Sequence, residues 1–133
     1  MEVIATKKEV DSYLKRQNKA YYLFPEYRDY PIKLQDFLPK RWASNTENIN
    51  GIIDTVAKGE YYAFQVGVYA PTQDLSNIDI NLDDLKGNSG EISKTLLTCF
   101  NTGGIDLNGK PFEKKISVKT GKTQALWFGA EIP

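Results

Sequence analysis

The stretch GEYYAFQVGVYAPTQDLSNIDINLDDL, residues Gly59 to Leu85, decides the fold that this sequence predicts. Both of its halves alternate apolar and polar side chains, which is typical of β-strands buried on one face. The apolar set of the first half is Tyr62, Phe64, Val66 and Val68, and that of the second half is Ile78, Ile80 and Leu82. Because Pro71 lies between the halves, the pattern predicts a hairpin of two strands joined by a Pro-containing turn.

The alternation also specifies the register of the first strand. Gln65 falls on the polar side with Tyr61 and Tyr69, so we expect it to face outward. A slip of one residue would turn this amide inward, and a buried amide without partners costs about 1–3 kcal/mol. Gly67 has no side chain in mid-strand, which predicts a bulge or the close approach of another backbone or a large aromatic ring.

The composition excludes several function classes. The chain of 133 residues contains no His, one Cys, and 17 Lys+Arg against 17 Asp+Glu. The lack of His removes the usual base of hydrolytic triads and the commonest zinc ligand. Zero net charge favours neither nucleic acid nor an anionic membrane, and no apolar run reaches membrane-spanning length. We therefore expect no nucleic acid, no membrane, no metal and no cofactor, with Cys99 as a small buried hydrophobe.

The beginning of the chain predicts a short helix. Thr6 and Glu9 form a capping box, and Ala5 and Val10 are placed to act as a hydrophobic staple across it. Apolar residues then share one helical face as far as Leu14, and the pattern fades near Asn18. We expect residues 1–19 to be a helical segment and residues 20–133 to be a separate β domain.

Residues 20 to 43 are rich in aromatic side chains and contain three prolines, which confine strands to short edge pieces. Two interpretations of the aromatic residues stay open. Exposed rings beside polar side chains could stack on sugars, because pyranose faces are apolar and pyranose edges are polar. Alternatively the rings cover the sheet as an ordered strap, since large aromatics are mostly packing elements. The candidate glycan-contacting residues are Tyr27, Tyr30, Trp42 and, near the end of the chain, Trp127.

The remaining segments predict further short strands separated by turns. The pattern places a loop at Ser44–Gly51 and turns at residues 86–90 and at Asn108-Gly109, a strong hairpin signal. Strands are expected at residues 52–56, 96–100, 116–118 and 124–132. The predicted fold class is mostly β, an antiparallel β-sandwich of the immunoglobulin-like or jelly-roll-like kind with a short N-terminal helix.

Acidic residues suggest two sites, neither of which the spacing supports. Asp79, Asn81 and Asp83 have the opening spacing of a calcium loop, but Asp84 stands where Gly is needed and Gly90 where Glu is needed. We expect them on the wet side of a strand. A two-carboxylate hydrolase site needs an acid and a base at a defined separation. The candidates Glu26, Asp29, Asp36 and Glu60 are not placed together by any pattern in the sequence.

Four segments, taken in order, resemble the N-terminal β-sandwich region of glycoside hydrolase family 123-like proteins. They are Phe24–Ile32, Gly59–Ala70, Leu97–Gly104 and Gly121–Pro133, and the resemblance covers residues 20 to 133. Members of that family resemble exo-acting β-N-acetylgalactosaminidases, in which an adjacent Asp-Glu pair in a separate C-terminal barrel assists attack by the substrate's own acetamido group. No Asp-Glu dipeptide occurs in this chain, so no catalytic residue carries over.

The resemblance implies a non-catalytic accessory domain of a multidomain glycoside hydrolase-like protein that acts on N-acetylhexosaminides. Its partner would be the catalytic domain of the same parent chain, and its location periplasmic or extracellular, although this sequence carries no signal. The family has further strands after the equivalent of Pro133. If those strands are missing, an unpaired sheet edge remains, which favours a dimer. The alternative function is an independent carbohydrate-binding module. That the chain is itself an enzyme is the third hypothesis, for which we expect no turnover.

Overall fold

The structure, a computed structural model, describes residues 2–16, 18–44 and 51–133. The helices are α1 (Lys7–Arg16) and α2 (Lys40–Ala43), and a 3₁₀ turn covers Lys94–Leu96. The strands are β1 (Tyr22–Tyr27), β2 (Tyr61–Tyr69), β3 (Leu75–Ile78), β4 (Leu85–Gly87), β5 (Gly90–Ile92), β6 (Leu97–Cys99), β7 (Gly103–Ile105), β8 (Pro111–Glu113), β9 (Ile116–Val118) and β10 (Thr123–Glu131). The predicted mostly β fold with a short helix is confirmed, and the kind of sandwich stays a prediction.

A four-stranded antiparallel sheet in the order β1-β2-β10-β6 forms the centre. Its core is the long pair β2 and β10, which run together from Tyr61 opposite Glu131 to Tyr69 opposite Thr123. Pro25 lies on the edge strand β1, where a missing N–H does not interrupt a second ladder. The strand predicted at residues 124–132 is confirmed by β10.

The hairpin predicted over Gly59–Leu85 is wrong. Both edges of β2 are taken, by β1 and by β10, so β3 cannot lie beside it. β3 instead pairs with β9 in a separate two-stranded sheet, with Leu75 opposite Val118 and Ile78 opposite Ile116. Residues 79–84 are not strand, so the period-2 pattern there continues past the end of β3.

The sheet face that carries Phe64, here the first face, is covered by the β3–β9 pair and the segment after β3. This face holds an apolar cluster whose buried members are Val68, Ala70, Cys99, Ile116, Val118, Leu126 and Phe128. Ile80 and Leu82 pack against the same cluster although they lie outside a strand. The core of the β domain lies between these two layers. Cys99 is buried in it, as expected.

The opposite, second face is covered at one end by α1 and by residues 28–44, which we call the strap. Buried in its cluster are Ala5, Tyr13, Tyr22, Leu38, Trp42, Ala43 and Tyr69. Gln65 and Tyr69 were expected to face outward, and this is wrong, since Gln65 is fully buried. The Gln65 amide accepts from Ile32 N (3.2 Å) and donates to the carbonyls of Tyr27 (3.0 Å) and Tyr30 (2.7 Å), so burial leaves it satisfied.

The N-terminal helix follows its sequence signals. The Thr6 N–H donates to Glu9 Oε2 (2.8 Å) and the Glu9 N–H donates to Thr6 Oγ1 (3.2 Å), which confirms the capping box. Val10 packs against the cluster that contains Ala5, in agreement with the predicted staple. The helix lies on the second face through Tyr13, whose ring is 5.2 Å from that of Tyr22.

The other predicted elements are partly confirmed. A turn at residues 88–89 joins β4 and β5, and Gly109, at φ 77°, turns the β7–β8 hairpin as the Asn-Gly signal predicts. The strand expected at 52–56 is wrong, because that segment is irregular and the Ile53 side chain is 87% exposed. Most of the predicted loop Ser44–Gly51 lies outside the described residues. Within the described parts of the chain no helix is long and apolar enough to cross a membrane.

Candidate functional site

The strap is fastened to the edge strand by one buried carboxylate, that of Glu26, which is 3% exposed. Its Oε2 accepts from Arg41 Nε and from the indole Nε1 of Trp42, both at 3.1 Å. Its Oε1 accepts from Arg41 Nη2 at 3.2 Å and from the Tyr27 N–H at 3.0 Å. One carboxylate thus accepts four hydrogen bonds, two of them from the charged Arg41 guanidinium. Glu26 therefore acts as an anchor for α2.

A groove of about 440 Å³ opens beside this anchor. The Arg41 guanidinium lies over the ring of Tyr30, 3.8 Å from its centroid, and forms one wall. The lining mixes apolar and charged side chains: Glu2, Val3, Glu26, Asp29, Tyr30, Pro31, Ile32, Lys33, Pro39, Lys40, Arg41 and Ser44. An amphipathic small molecule matches such a lining better than a fully apolar one does.

The lining of the same groove includes Glu2. Its Oε2 accepts from the backbone N–H groups of Lys33 (2.8 Å) and Leu34 (3.0 Å) and holds the turn of the strap. Its Oε1 is buried and has no hydrogen-bond partner in the parts of the chain that the structure describes. Glu2 therefore fastens the strap through one of its two oxygens.

The structure brings three carboxylates, Glu2, Glu26 and Asp29, to this groove, although no pattern in the sequence placed any two together. Glu2 and Glu26 are already engaged, by backbone amides and by Arg41 respectively. A general acid must be free to reach the substrate, whereas both oxygens of Glu26 already accept hydrogen bonds within the protein. No group of three or more Cys, Asp or Glu among the described residues is arranged to hold a metal ion.

The four candidate glycan-contacting residues lie in four different surroundings. Trp42 is 4% exposed, with Phe24 stacked on it at 4.2 Å, so its ring faces are covered. Tyr27 is half-buried, and its hydroxyl exchanges hydrogen bonds with the backbone of Ile53. Tyr30 is half exposed and lines the groove, whereas Trp127 lies on β10 and does not line it. The strap interpretation fits Trp42, and the half-exposed side chain of Tyr30 leaves the sugar interpretation open for that residue.

A second surface lies on the second face beyond the end of the strap, and we call it the open end. Tyr61 on β2 and Phe100 after β6 are 47% and 49% exposed, and their rings are 6.4 Å apart. Trp127 is on the same face of β10, directly opposite Gln65. Of these three residues, only Trp127 was predicted from the sequence as a candidate glycan contact. The signal that could have found Tyr61 is Gly129, a mid-strand glycine that leaves room for a ring.

Next to Tyr61 in sequence, Tyr62 points to the other face and is 7% exposed. Burial raises the pKa of Tyr62 to about 12, and the hydrogen bond that its hydroxyl donates to Asp54 Oδ2 (2.7 Å) contributes to the same shift. That hydrogen bond and the Thr55 N–H lower the pKa of Asp54. Arg28 lies over the Tyr62 ring at 5.4 Å. This arrangement ties the irregular segment before β2 to the sheet.

Searches by sequence found no matching family model and no matching curated protein. The fold, however, has a counterpart among glycoside hydrolases of known structure. A family 123 glycoside hydrolase from Clostridium perfringens, solved in work on glycolipid glycan hydrolysis, superposes on 86% of this chain with a TM-score of 0.59 and 14% sequence identity. This chain spans 22% of the length of that enzyme. The likeness shows that the chain shares its fold with part of a glycoside hydrolase.

Proposed function

We propose that this chain is a non-catalytic accessory domain of a longer glycoside hydrolase-like protein. The observation that carries the proposal is the coverage: 86% of this chain superposes on only 22% of a glycoside hydrolase. A segment of that size is a part of the enzyme and not the whole of it, which supports a role for this chain beside a separate catalytic domain. A parent that acts on N-acetylhexosaminides outside the cytoplasm stays a prediction of the family resemblance.

The engaged carboxylates of the groove support the non-catalytic part of the proposal. Glu26 holds four donors and Glu2 holds two backbone amides, so proton transfer by either would first break the fastening of the strap. Residues that hold the fold together in this way are poor candidates for an acid and base pair. These contacts therefore support a stabilising role for both carboxylates.

The β7–β8 hairpin supports the partner part of the proposal. Ile105 and Leu107 are 68% and 106% exposed, and Phe112 is 43% exposed. A lone two-stranded hairpin is marginal in water, and exposed apolar side chains at its tip favour a protein contact. We propose this arm as the surface that packs on a neighbouring domain of the parent chain. A second copy of the chain is the other candidate partner, through the same arm or an unpaired sheet edge.

Turnover is the direct test of the non-catalytic role. The chain is incubated with a chromogenic N-acetylgalactosaminide and with glycolipid glycans, beside a Glu26→Gln variant. We expect no release of product from either protein. Product formed by the wild-type chain and lost in Glu26→Gln would contradict the proposal, because it would give the groove carboxylate a chemical role.

Amide hydrogen exchange tests the arm. Backbone amides of residues 103–113 should exchange much faster than those of β2 and β10, since the hairpin lacks a covering layer in the isolated chain. Equal protection of the arm and the central pair would contradict its role as an uncovered contact surface. Analytical ultracentrifugation of the same sample separates a dimer from a monomer.

The independent sugar-binding module stays the alternative function. It is favoured by the exposed aromatic rings outside the core, at Tyr30 beside the groove and at Tyr61 on the open end. A glycan titration followed at these rings distinguishes a sugar-binding module from an accessory domain that binds no sugar.

A further inference from the structure

The open end is built around a glycine that carries an aromatic ring. A Cβ added to Gly129 would lie 2.5 Å from both Cε1 and Cζ of Tyr61 and still closer to its hydroxyl oxygen. The hydroxyl end of the Tyr61 ring therefore lies against Gly129, in the space that a side chain would fill. Tyr61 is nevertheless 47% exposed, so part of its ring is open to solvent.

Phe100 adds a second surface at an angle to the first. Its ring centroid is 6.4 Å from that of Tyr61 and the two planes are inclined by 46°. The Phe100 N–H donates to the Trp127 carbonyl at 2.9 Å, which holds the residue after β6 close to β10. The two rings therefore form a shallow corner whose position is set by backbone contacts of the sheet.

The size of this corner favours a small ligand. Large aromatic side chains present about 150–250 Å² each, so two half-exposed rings offer on the order of 200 Å². A stable protein contact buries about 800 Å² on each partner. The corner is several-fold too small for that purpose and is close to the face of one six-membered ring.

Two polar side chains lie on the same sheet face beside the corner. Thr98 is opposite Gly129 in the β6–β10 pair, and Glu131 is opposite Tyr61 in the β2–β10 pair, so both side chains share the face of the rings. Both are exposed, and neither forms a side-chain hydrogen bond or ion pair within the part of the chain that the structure describes. A hydroxyl and a carboxylate at the rim suit neutral hydroxyl groups, and the carboxylate disfavours a phosphate-bearing ligand such as a nucleotide.

We propose that Tyr61 and Phe100 form a binding site for a neutral pyranose ring. The C–H groups on one side of a pyranose present an apolar, slightly positive face, which is complementary to the negative π-face of Tyr61. The hydroxyl groups at the ring edge then reach Thr98 and Glu131 at the rim. The proposal concerns the sugar-binding alternative and does not depend on the accessory role, since it needs no second domain.

The test is a titration of the full chain with methyl pyranosides and short oligosaccharides, followed by NMR of the aromatic side chains. We expect chemical-shift changes at the Tyr61 and Phe100 rings and weak, millimolar-range affinity. Tyr61→Leu keeps an apolar side chain at this position of β2 while it removes the flat ring, and it should weaken binding about ten-fold, as the loss of one stacking contact predicts. Tyr61→Ala should do the same or more.

Tyr30→Ala is the matched control, because it removes a half-exposed ring from the groove and leaves the open end intact. It should bind sugars as the wild type does. No shift at either open-end ring with any sugar, or shifts confined to Tyr30 and lost in Tyr30→Ala, would overturn the proposal. Turnover of a glycoside in the assay above would contradict the accessory role and would leave this test unaffected.

Discussion

Two glycines on neighbouring strands of one sheet face each carry an aromatic ring, and the two ends of that face differ in what lies above the ring. Trp42 lies over Gly67 on β2 and is 4% exposed, whereas Tyr61 lies over Gly129 on β10 and is 47% exposed. At both positions the missing Cβ lets a ring approach the sheet. The local arrangement of ring and glycine therefore does not decide whether the ring is buried. Coverage by the strap decides it.

Polar anchors determine where the strap runs. Thr123 donates from its backbone to the Gln35 carbonyl (2.7 Å) and from its hydroxyl to the Phe37 carbonyl (3.0 Å). Gln65 binds the strap at Tyr30 and Ile32, and Glu26 binds Arg41 and Trp42. Tyr61 lies beyond these anchors on β2, so the part of the sheet that the strap covers stops where these hydrogen bonds stop.

Glu26→Ala should have the largest effect, because it releases α2 and leaves the buried indole N–H of Trp42 without an acceptor. An unsatisfied buried donor costs about 1–3 kcal/mol, and with the lost ion pair we expect a loss of about 3 kcal/mol in the free energy of unfolding, measured by urea denaturation. Glu91→Ala, on exposed β5, is the control and should be neutral. Equal stability of both variants would mean that the strap does not need its anchor.

Gly67→Ala should cost less, about 2 kcal/mol, through overpacking. The added Cβ would lie 2.8 Å from Cζ3 of Trp42 and closer to its Cη2, in a cluster where the indole cannot move away. Trp fluorescence should shift to longer wavelength as the strap loosens. Gly90→Ala is the matched control, since its Cβ would meet open space. A Gly67→Ala protein as stable as this control would remove the distinction between the two ends.

Gly129→Ala should change stability by less than about 0.5 kcal/mol. The new Cβ would displace the outer part of the Tyr61 ring, which is half exposed and can rotate into solvent. Loss of sugar binding with stability retained would support the distinction between the covered ring at Gly67 and the exposed ring at Gly129. A cost as large as that of Gly67→Ala would show that the open end is packed like the covered one.

The titration of Tyr62 does not change stability at neutral pH, so its pH dependence serves as a reference on the first face. Its pKa is raised to about 12, above the ordinary value of 10.0, so the folded state holds this proton more tightly than the unfolded state does. The resulting stability is fully present below pH 10 and is lost as the pH rises through 12. Asp54→Asn removes one of the two main causes and should lower the pKa of Tyr62. NMR titration of the tyrosine rings measures it, and an unchanged value would leave burial as the sole cause.

Local patterns predicted the elements that depend on neighbouring residues. The Thr6–Glu9 box, the Asn108-Gly109 turn and the long final strand are confirmed because their determinants lie within a few residues of one another. The ring over Gly67 agrees with one of the approaches expected from a mid-strand glycine. Tyr30 and Trp127 were selected by sequence as candidate contacts, but the sequence did not show that the two lie on different surfaces.

The errors concern pairings between distant segments. Alternation over Gly59–Leu85 indicates strand but does not say which strand is adjacent, and β3 pairs with β9, about forty residues later, because β1 and β10 already occupy both edges of β2. The alternation in the sequence places Gln65 on the outward side. In the fold it is buried, because Tyr27, Tyr30 and Ile32 provide its hydrogen-bond partners. Phe100 and Tyr61 become one corner only when β6 lies near β2 across β10.

The residues of the chain alone indicated a β-rich fold with a capped N-terminal helix and excluded chemistry that depends on His. The tertiary structure alone decided which sheet face is covered, which carboxylates meet in the groove and which rings stay open to solvent. The physical reason is that capping, turns and alternation are local preferences. Burial and hydrogen-bond satisfaction instead depend on contacts between segments far apart in the chain, such as Glu26 with Arg41 and Tyr61 with Gly129.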